Sequence, residues 1–443
     1  MKYTRPIFLL LLAIVLLSFQ PALALSGTGA QSDSPFVLVL NAKGVVAPPM
    51  QEYIQRGLEV AEQRNADLVV LQLDTPGGSI DTMNNIVQEI RDSSIPVVVY
   101  VSPRGAMAAS AGTMITLAGH AAAMAPETII GAASPVGGQG EDLGETLKAK
   151  EIEALKATVR TLGEQRSEEA IALAESTIED AKAASASEAL QAGLVDFIAQ
   201  DLDDLLKQLD GFEVQVAGEA LTLETSNAHT EEVAASFIEE LLAMLTNPNI
   251  VLILLTIGVQ AILIEIGSPG GWAAGFIGVV SLSLAAYGLG VLPVNWFGIV
   301  FLITSFALFI LDIKAPTHGA LTAAGIGSFI VGALVLFNSP GTPEFQRVSI
   351  PLVVVIGLLS GALFGVIVGF GIRALKAPIR AGREALDGKT GTATTTFKGT
   401  GQVQLGSELW TAEAVEGSEK IRKGDKVEVV EVKGLRLKVR KIK

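Results

Sequence analysis

From residue 36 to about 200, short unbroken apolar runs alternate with longer stretches of helical periodicity. FVLVLNA (36–42), LVVLQLD (68–74) and IPVVVYVS (95–102) are strand-length Val/Leu/Ile runs, the pattern of strands covered on both faces. Helices are predicted near 47–64 and 80–93 between them, and over 145–163, 167–175 and 178–192 beyond them. Strands alternating with helices imply a parallel sheet with right-handed crossovers. FEVQVAGEALTLE (212–224) predicts a hairpin, and 228–246 an amphipathic helix. The pattern outlines an α/β domain over 36–226 and a linker helix over 227–248.

From 249 to 372 the apolar runs lengthen to 249–266, 272–292, 295–313, 319–337 and 349–372. Each is about long enough to cross a hydrocarbon core, so about five transmembrane helices are expected. The breaks between them (GSPGG, LPVN, DIKAPTHG, NSPGTPEFQRVS) are turn-forming, and Glu265 and Asp312 fall at segment ends. Residues 384–443 return to short alternating runs with glycine turns, and strands at 391–398, 401–405, 409–414, 426–432 and 435–440 predict a five-stranded barrel of the OB type.

The N-terminus carries Lys2 and Arg5, an apolar run over 7–18 and Ala22-Leu23-Ala24, the layout of a cleaved signal peptide (1–24) followed by a polar lead-in (25–35). The α/β domain is then extracytoplasmic, and five spans bring the C-terminal domain to the cytoplasm. Arg373, Lys376, Arg380 and Arg383 after the last span agree, since cytoplasmic flanks are enriched in Lys and Arg. The expected location is the cell membrane, as a multi-pass protein.

Composition narrows the chemistry. A hydrophobic content of 49% with mean hydropathy +0.48 fits contact with membrane lipid. The net charge of −14 argues against nucleic acid, which wants a basic surface. With no cysteine there is no thiolate nucleophile or thiolate metal site. Three scattered histidines (His120, His229, His318) make no histidine metal cluster, and no metal or cofactor is expected.

Two motifs lie at strand ends, where open α/β sheets build their sites. Asp-Thr-Pro-Gly-Gly-Ser (74–79) lets backbone N–H groups of Gly77 and Gly78 face a carbonyl oxygen. Gly-Ala-Met-Ala-Ala-Ser-Ala-Gly (105–112) surrounds Ser110 with small residues at a predicted helix start, where the Ala111 N–H and the helix dipole favour an oxyanion. Serine needs a base. His120 lies ten positions on, about 15 Å along a helix, which makes it a structural residue. Lysine is the alternative, and Lys148, Lys150 and Lys156 lie on a helix that could return over the site.

D-T-P-G-G-S followed by P-x-G-x-x-A-A-S-A-G-T resembles the Clp protease/signal peptide peptidase A class of crotonase-fold serine peptidases. More narrowly, the chain resembles long-form NfeD-like membrane proteins. MAPETIIGAASPVG (124–137), VRTLGEQR (159–166) and SEALQAGLVDFIAQDLDDLL (187–206) agree, and the resemblance covers nearly the whole chain. It implies a crotonase/ClpP-like α/β domain, a multi-span helical membrane domain and a C-terminal all-β OB-fold barrel. It also implies a Ser-Lys dyad, with Ser110 as nucleophile, Gly78 and Ala111 as oxyanion donors and Lys150 as base, ten residues before Arg160. The chain departs from the family in Glu-Ile-Glu-Ala-Leu-Lys after Lys150, where an Asn-Asp pair is common, and in Gln-Arg-Ser-Glu at the helix end, where Arg-Gly-Arg-Asn is common. The family implies a stomatin/prohibitin-like membrane partner cleaved in its hydrophobic segments, and a homo-oligomer. The alternative is a non-catalytic scaffold for stomatin/flotillin-like proteins.

Overall fold

The computed structural model describes residues 34–135, 144–267, 271–315, 317–339, 342, 346–376 and 386–442. The expected signal peptide, most of the lead-in, and Arg380 and Arg383 of the basic flank lie outside the described residues. The chain divides into one unit of Met1–Ile303 with Ser328–Ile356 and another of Thr304–Gly327 with Gly357–Lys443.

The first unit opens with β1 (Phe36–Lys43), α1 (Pro48–Arg64), β2 (Leu68–Asp74), α2 (Ile80–Arg91) and β3 (Val97–Val101). There follow β4 (Met107–Ala109), α3 (Ala111–Ala118), β5 (Ala121–Met124), β6 (Ile129–Gly131), α4 (Glu145–Leu162) and α5 (Glu168–Glu179). Next come β7 (Ala183–Ser185), α6 (Ala186–Ala192), β8 (Phe197–Ile198), α7 (Leu202–Leu209), β9 (Glu213–Val216), β10 (Glu219–Thr222), β11 (His229–Glu232) and α8 (Phe237–Met244). The main sheet has six strands in the order β11-β1-β2-β3-β5-β8, every pair parallel. A smaller sheet, β4-β6-β7, stands beyond the carboxyl ends of β2 and β3 in chain order.

Successive residues of a strand point to opposite faces, and β1 splits accordingly. Leu38, Leu40 and Ala42 join Ile54 and Ile86 in one core, while Val37 and Val39 join Tyr100, Leu205 and Leu209 in the other. Both faces are therefore covered, which is why these strands read as continuous apolar runs. Each such side chain contributes about 1.5–3 kcal/mol on full burial. The α/β expectation for this domain holds, and the hairpin at 212–224 is β9–β10, turning at Ala217-Gly218 with both φ positive.

The single helix expected over 228–246 is instead a strand and a short helix. His229–Glu232 extends the main sheet beside β1, pairing Phe36 with His229 through Val39 with Glu232. Partners distant in sequence override helical propensity here: the Glu231 carboxylate takes both terminal nitrogens of Arg64, and Glu232 accepts from Asn41. The α/β domain thus runs past residue 226. The helix starts at Ser236, whose side chain accepts the Glu239 N–H while the Glu239 carboxylate accepts the Ser236 N–H, a reciprocal cap.

Five apolar helices follow: α9 (Pro248–Gly267), α10 (Ala273–Val291), α11 (Phe297–Lys314), α12 (Ala320–Phe337) and α13 (Ile350–Lys376). α9, α10 and α12 are long and apolar enough to cross a membrane; Phe297–Asp312 and Ile350–Val366 are shorter apolar stretches. Glycines set the α9–α10 contact. A Cβ on Gly258 would lie 2.7 Å from Leu282, and one on Gly278 would lie 2.7 Å from Ile262, so the helices approach as small-residue interfaces allow in lipid. The C-terminal part of the second unit is a closed barrel of β12 (Thr390–Ala393), β13 (Thr400–Leu405), β14 (Glu408–Ala414), β15 (Lys426–Lys433) and β16 (Arg436–Lys441). The order is β12-β13-β14-β16-β15 with only β14–β16 parallel, around Val403, Ala412, Val427, Val429, Leu437 and Val439. This is the OB-type barrel expected from the alternating runs.

Candidate active site

Ser110 sits alone between strand β4 and helix α3, at φ 52° and ψ −116°. A left-handed φ is uncommon for a side chain with a Cβ, and such strain gathers at functional turns. The tie holding it there is the Ser110 N–H, which donates to the Gly131 carbonyl at 3.0 Å. The hydroxyl caps nothing, and among the described residues its Oγ has no hydrogen-bond partner. A strand–serine–helix turn of this kind lifts the hydroxyl out of the sheet.

The loop after β2 faces it. Gly77 has φ 105°, and a Cβ there would lie 2.6 Å from the Ser110 Cβ. A Cβ on Gly78 would lie 2.1 Å from the Val46 carbonyl oxygen, because Val46 and Gly78 form a parallel bridge. Only glycine fits either position. Among the described residues the Gly78 N–H meets no acceptor. Ala111, the first residue of α3, has an N–H with no carbonyl one turn earlier to receive it. Gly78, Ser110 and Ala111 line one small cleft of about 50 Å³, with Met83, Met114 and Leu155.

Thr75 links the two motifs, and sequence reasoning missed it. It is fully buried, and its Oγ1 accepts the Gly77 N–H at 3.0 Å. Its own N–H donates to the Met107 carbonyl at 2.7 Å, and its carbonyl accepts from Ala109 at 3.0 Å. A Cβ on Gly112 would meet the Thr75 methyl at 2.6 Å, so this glycine lets α3 close on the loop. The available signal was a hydroxyl residue one place before Pro-Gly-Gly.

The three lysines lie apart from this cleft. Lys150 is exposed and lines a shallow groove with Glu145, Thr146, Ala149 and Glu153, whereas Leu155, farther along α4, reaches the serine's cleft. Lys148 is exposed. Lys156 donates to Glu179 at 2.9 Å, with Glu175 at 3.8 Å and Glu153 at 3.9 Å. The hydrogen bond to Glu179 is the largest influence holding its ammonium above the usual lysine range, which keeps it protonated. His120 is structural, as expected. Its Nδ1 accepts the Val97 N–H at 2.9 Å, and burial, with Arg91 nearby, lowers its pKa to about 4. It lines a different, polar cavity together with Arg91, Arg166 and Asp196.

Comparison with known proteins bears on all three regions. Residues 36–218 match the family model of the NfeD1b N-terminal domain, 249–370 the NfeD integral membrane domain, and 383–441 the NfeD-like C-terminal, partner-binding domain. The membrane-bound protease PH1510 of Pyrococcus horikoshii is 35% identical over 412 residues, covering 90% of this chain and 92% of that protein. The membrane protein NfeD1b of Bacillus subtilis is 28% identical over 439 residues, covering 93% and 94%. Among solved structures, the 1510-N membrane protease of Pyrococcus horikoshii, described as specific for a stomatin homolog, is 35% identical with TM-score 0.42, covering 48% of this chain and 99% of that one.

Proposed function

This chain belongs to the long-form NfeD-like family of membrane-bound serine proteases, and from that premise we propose that Ser110 is its nucleophile, Lys150 its general base, and the N–H groups of Gly78 and Ala111 its oxyanion hole. The observation that carries the reading is the shared cleft: a strained serine with an unbonded hydroxyl lies beside two backbone N–H groups without acceptors. Ser110 Oγ attacks the scissile carbonyl carbon while the Lys150 amine takes the hydroxyl proton. The carbonyl oxygen becomes negative facing the two N–H groups. The C–N bond breaks, the leaving amine takes the proton, and an acyl-enzyme remains. Water then attacks the ester carbonyl and gives a proton to the lysine; the bond from the acyl carbon to Ser110 Oγ breaks, Oγ takes that proton back, and the acid is released.

Lys150 approaches the serine on substrate binding or in a homo-oligomer. Exposed Leu147, on the same half of α4, supports the second route, since an apolar side chain there gains by cover. The substrate is an apolar segment of a membrane-associated protein such as a stomatin-like partner, the class named for the Pyrococcus structure. The protease domain lies outside the cytoplasm, and the barrel inside docks a cytoplasmic segment of the partner. The match to a partner-binding domain and the basic residues at the end of α13 and after it support this arrangement.

The test is labelling of the full chain in membranes by a serine-directed phosphonate. Label on the wild type and none on Ser110→Ala, with cleavage of an apolar peptide lost in parallel, is the expected result. A folded wild type that neither labels nor cleaves leaves the scaffold reading in its place.

A further inference from the structure

A second cleft, of about 230 Å³, opens between the turn after β1, helix α1 and helix α8. Its walls are largely apolar, with Val45, Ala47 and Met50 on one side and Ala235 and Ala243 on the other. Exposed Glu240, and Lys43, which pairs with Asp74 at 3.4 Å, also line it, while Tyr53 and Glu239 are engaged elsewhere. Tyr53 accepts the Asn41 N–H and donates to the Val233 carbonyl, both at 2.8 Å. The Glu239 carboxylate is held by Arg56. With Tyr53 and Glu239 held, the wall a guest meets is mainly Val45, Ala47, Met50, Ala235 and Ala243, which favours apolar side chains, with the charged Lys43 and Glu240 also on the lining.

The cleft has two neighbours that identify its occupant. Val45 and Ala47 line it, and Val46 between them bridges to Gly78, which lines the serine's cleft. At the other end Thr246 lines it, two residues before α9 begins at Pro248. α8 also exposes Phe237 and Met244, seven residues apart and so on one face, a different face from Glu239 and Ala243, which line the cleft. The cleft therefore joins the catalytic loop to the point where the chain enters the membrane region.

Resting on the protease reading above, we propose that this cleft is an extended subsite that holds an apolar segment of the substrate drawn from the bilayer, next to the residues cut at Ser110. A protease acting on membrane segments must hold hydrocarbon side chains outside lipid, and the Val45–Ala243 cleft gives them cover beside the oxyanion loop. Engagement there adds binding for long apolar substrates that a short peptide does not collect.

The experiment compares a short peptide with an apolar peptide of about 20 residues, span length, on the full chain in lipid nanodiscs. Ala243→Trp fills the cleft from an exposed position, and Ala235→Trp fills it from the approach to α8. Each is expected to lower the ratio of kcat/KM for the long peptide to that for the short one by about tenfold. On an inert Ser110→Ala background, Ala243→Trp is expected to weaken binding of the fluorescent long peptide by a similar factor. An unchanged ratio, or unchanged peptide binding, in the tryptophan variants overturns the subsite. The binding arm does not need turnover, and phosphonate labelling of Ser110 is read separately, so failure of the subsite and failure of the protease reading give different results.

Discussion

Arg56 and Glu239, 183 residues apart, are joined by two parallel hydrogen bonds: Nε donates to Oε1 and Nη2 to Oε2, both at 2.7 Å. Arg56 lies on α1 inside the α/β domain, and Glu239 lies on α8, just before the membrane region. Arg56 Nη2 also donates to the Ala234 carbonyl at 2.9 Å, so one guanidinium fixes both the approach to α8 and α8 itself.

Glu239→Gln is expected to lower stability by about 1–2 kcal/mol, at the low end for a charge-assisted pair because Arg56 is partly open to solvent. The bond to Arg56 holds the Glu239 carboxyl below the usual carboxylate range. A folded pKa below the unfolded one gives stability that is present above the ordinary carboxylate pKa and is lost as pH falls through the folded value. Denaturation at pH 7 should separate variant from wild type, and the difference should shrink in acid. A difference that persists in full at low pH counts against the ion pair as its source.

Thr75 is expected to act through Gly77. Thr75→Val keeps the shape and leaves the Gly77 N–H without its acceptor, a loss of about 1–3 kcal/mol in a buried site. Thr75→Ser restores the acceptor. Turnover of a short peptide should fall at least tenfold in the valine variant, mainly in kcat, and recover substantially in the serine variant. Equal loss in both variants would point to packing on Gly112 instead.

The lysines separate cleanly by substitution. Lys150→Ala should cost nearly as much turnover as Ser110→Ala, whereas Lys156→Ala should keep turnover and lose only its ion pairs with Glu179, Glu175 and Glu153. Peptide cleavage, with thermal unfolding of each variant as the folding control, decides between them. A dead Lys156→Ala beside an active Lys150→Ala would move the base about 1.7 turns along α4.

His120→Asn should keep turnover. Its effect lies in stability against pH. The folded pKa of about 4 lies below the ordinary 6.5, so the unfolded chain binds a proton first. The contribution of neutral His120 is full above pH 6.5 and is eroded as pH falls from there toward about 4. The variant should flatten that part of the stability profile, read by denaturant titration at several pH values. Loss of peptidase activity in a folded His120→Asn would return the histidine to the mechanism.

Local pattern was enough for the strands and for the class of each region. Val37 to Leu40, Leu68 to Leu71 and Val97 to Val101 are long apolar runs, because a strand covered on both faces must be apolar at every position. The helices of the membrane region and the barrel strands were legible for the same reason, since burial imposes a period on the chain. So were Ser110, Gly77 and Gly78, where small residues and glycine are required by backbone geometry alone. Strand β5 escaped notice, because Ala-Ala-Ala-Met carries no strand propensity and is held only by its place between β3 and β8. His229–Glu232 looked helical until β1 offered it a sheet edge and Arg64 an ion pair. The role of Thr75, the pairing of Lys156 and the cleft beside Val46 depend on segments tens to hundreds of residues apart. Periodicity records which face of an element is buried; it does not record which distant side chain arrives to meet it, and that was decided by the tertiary fold.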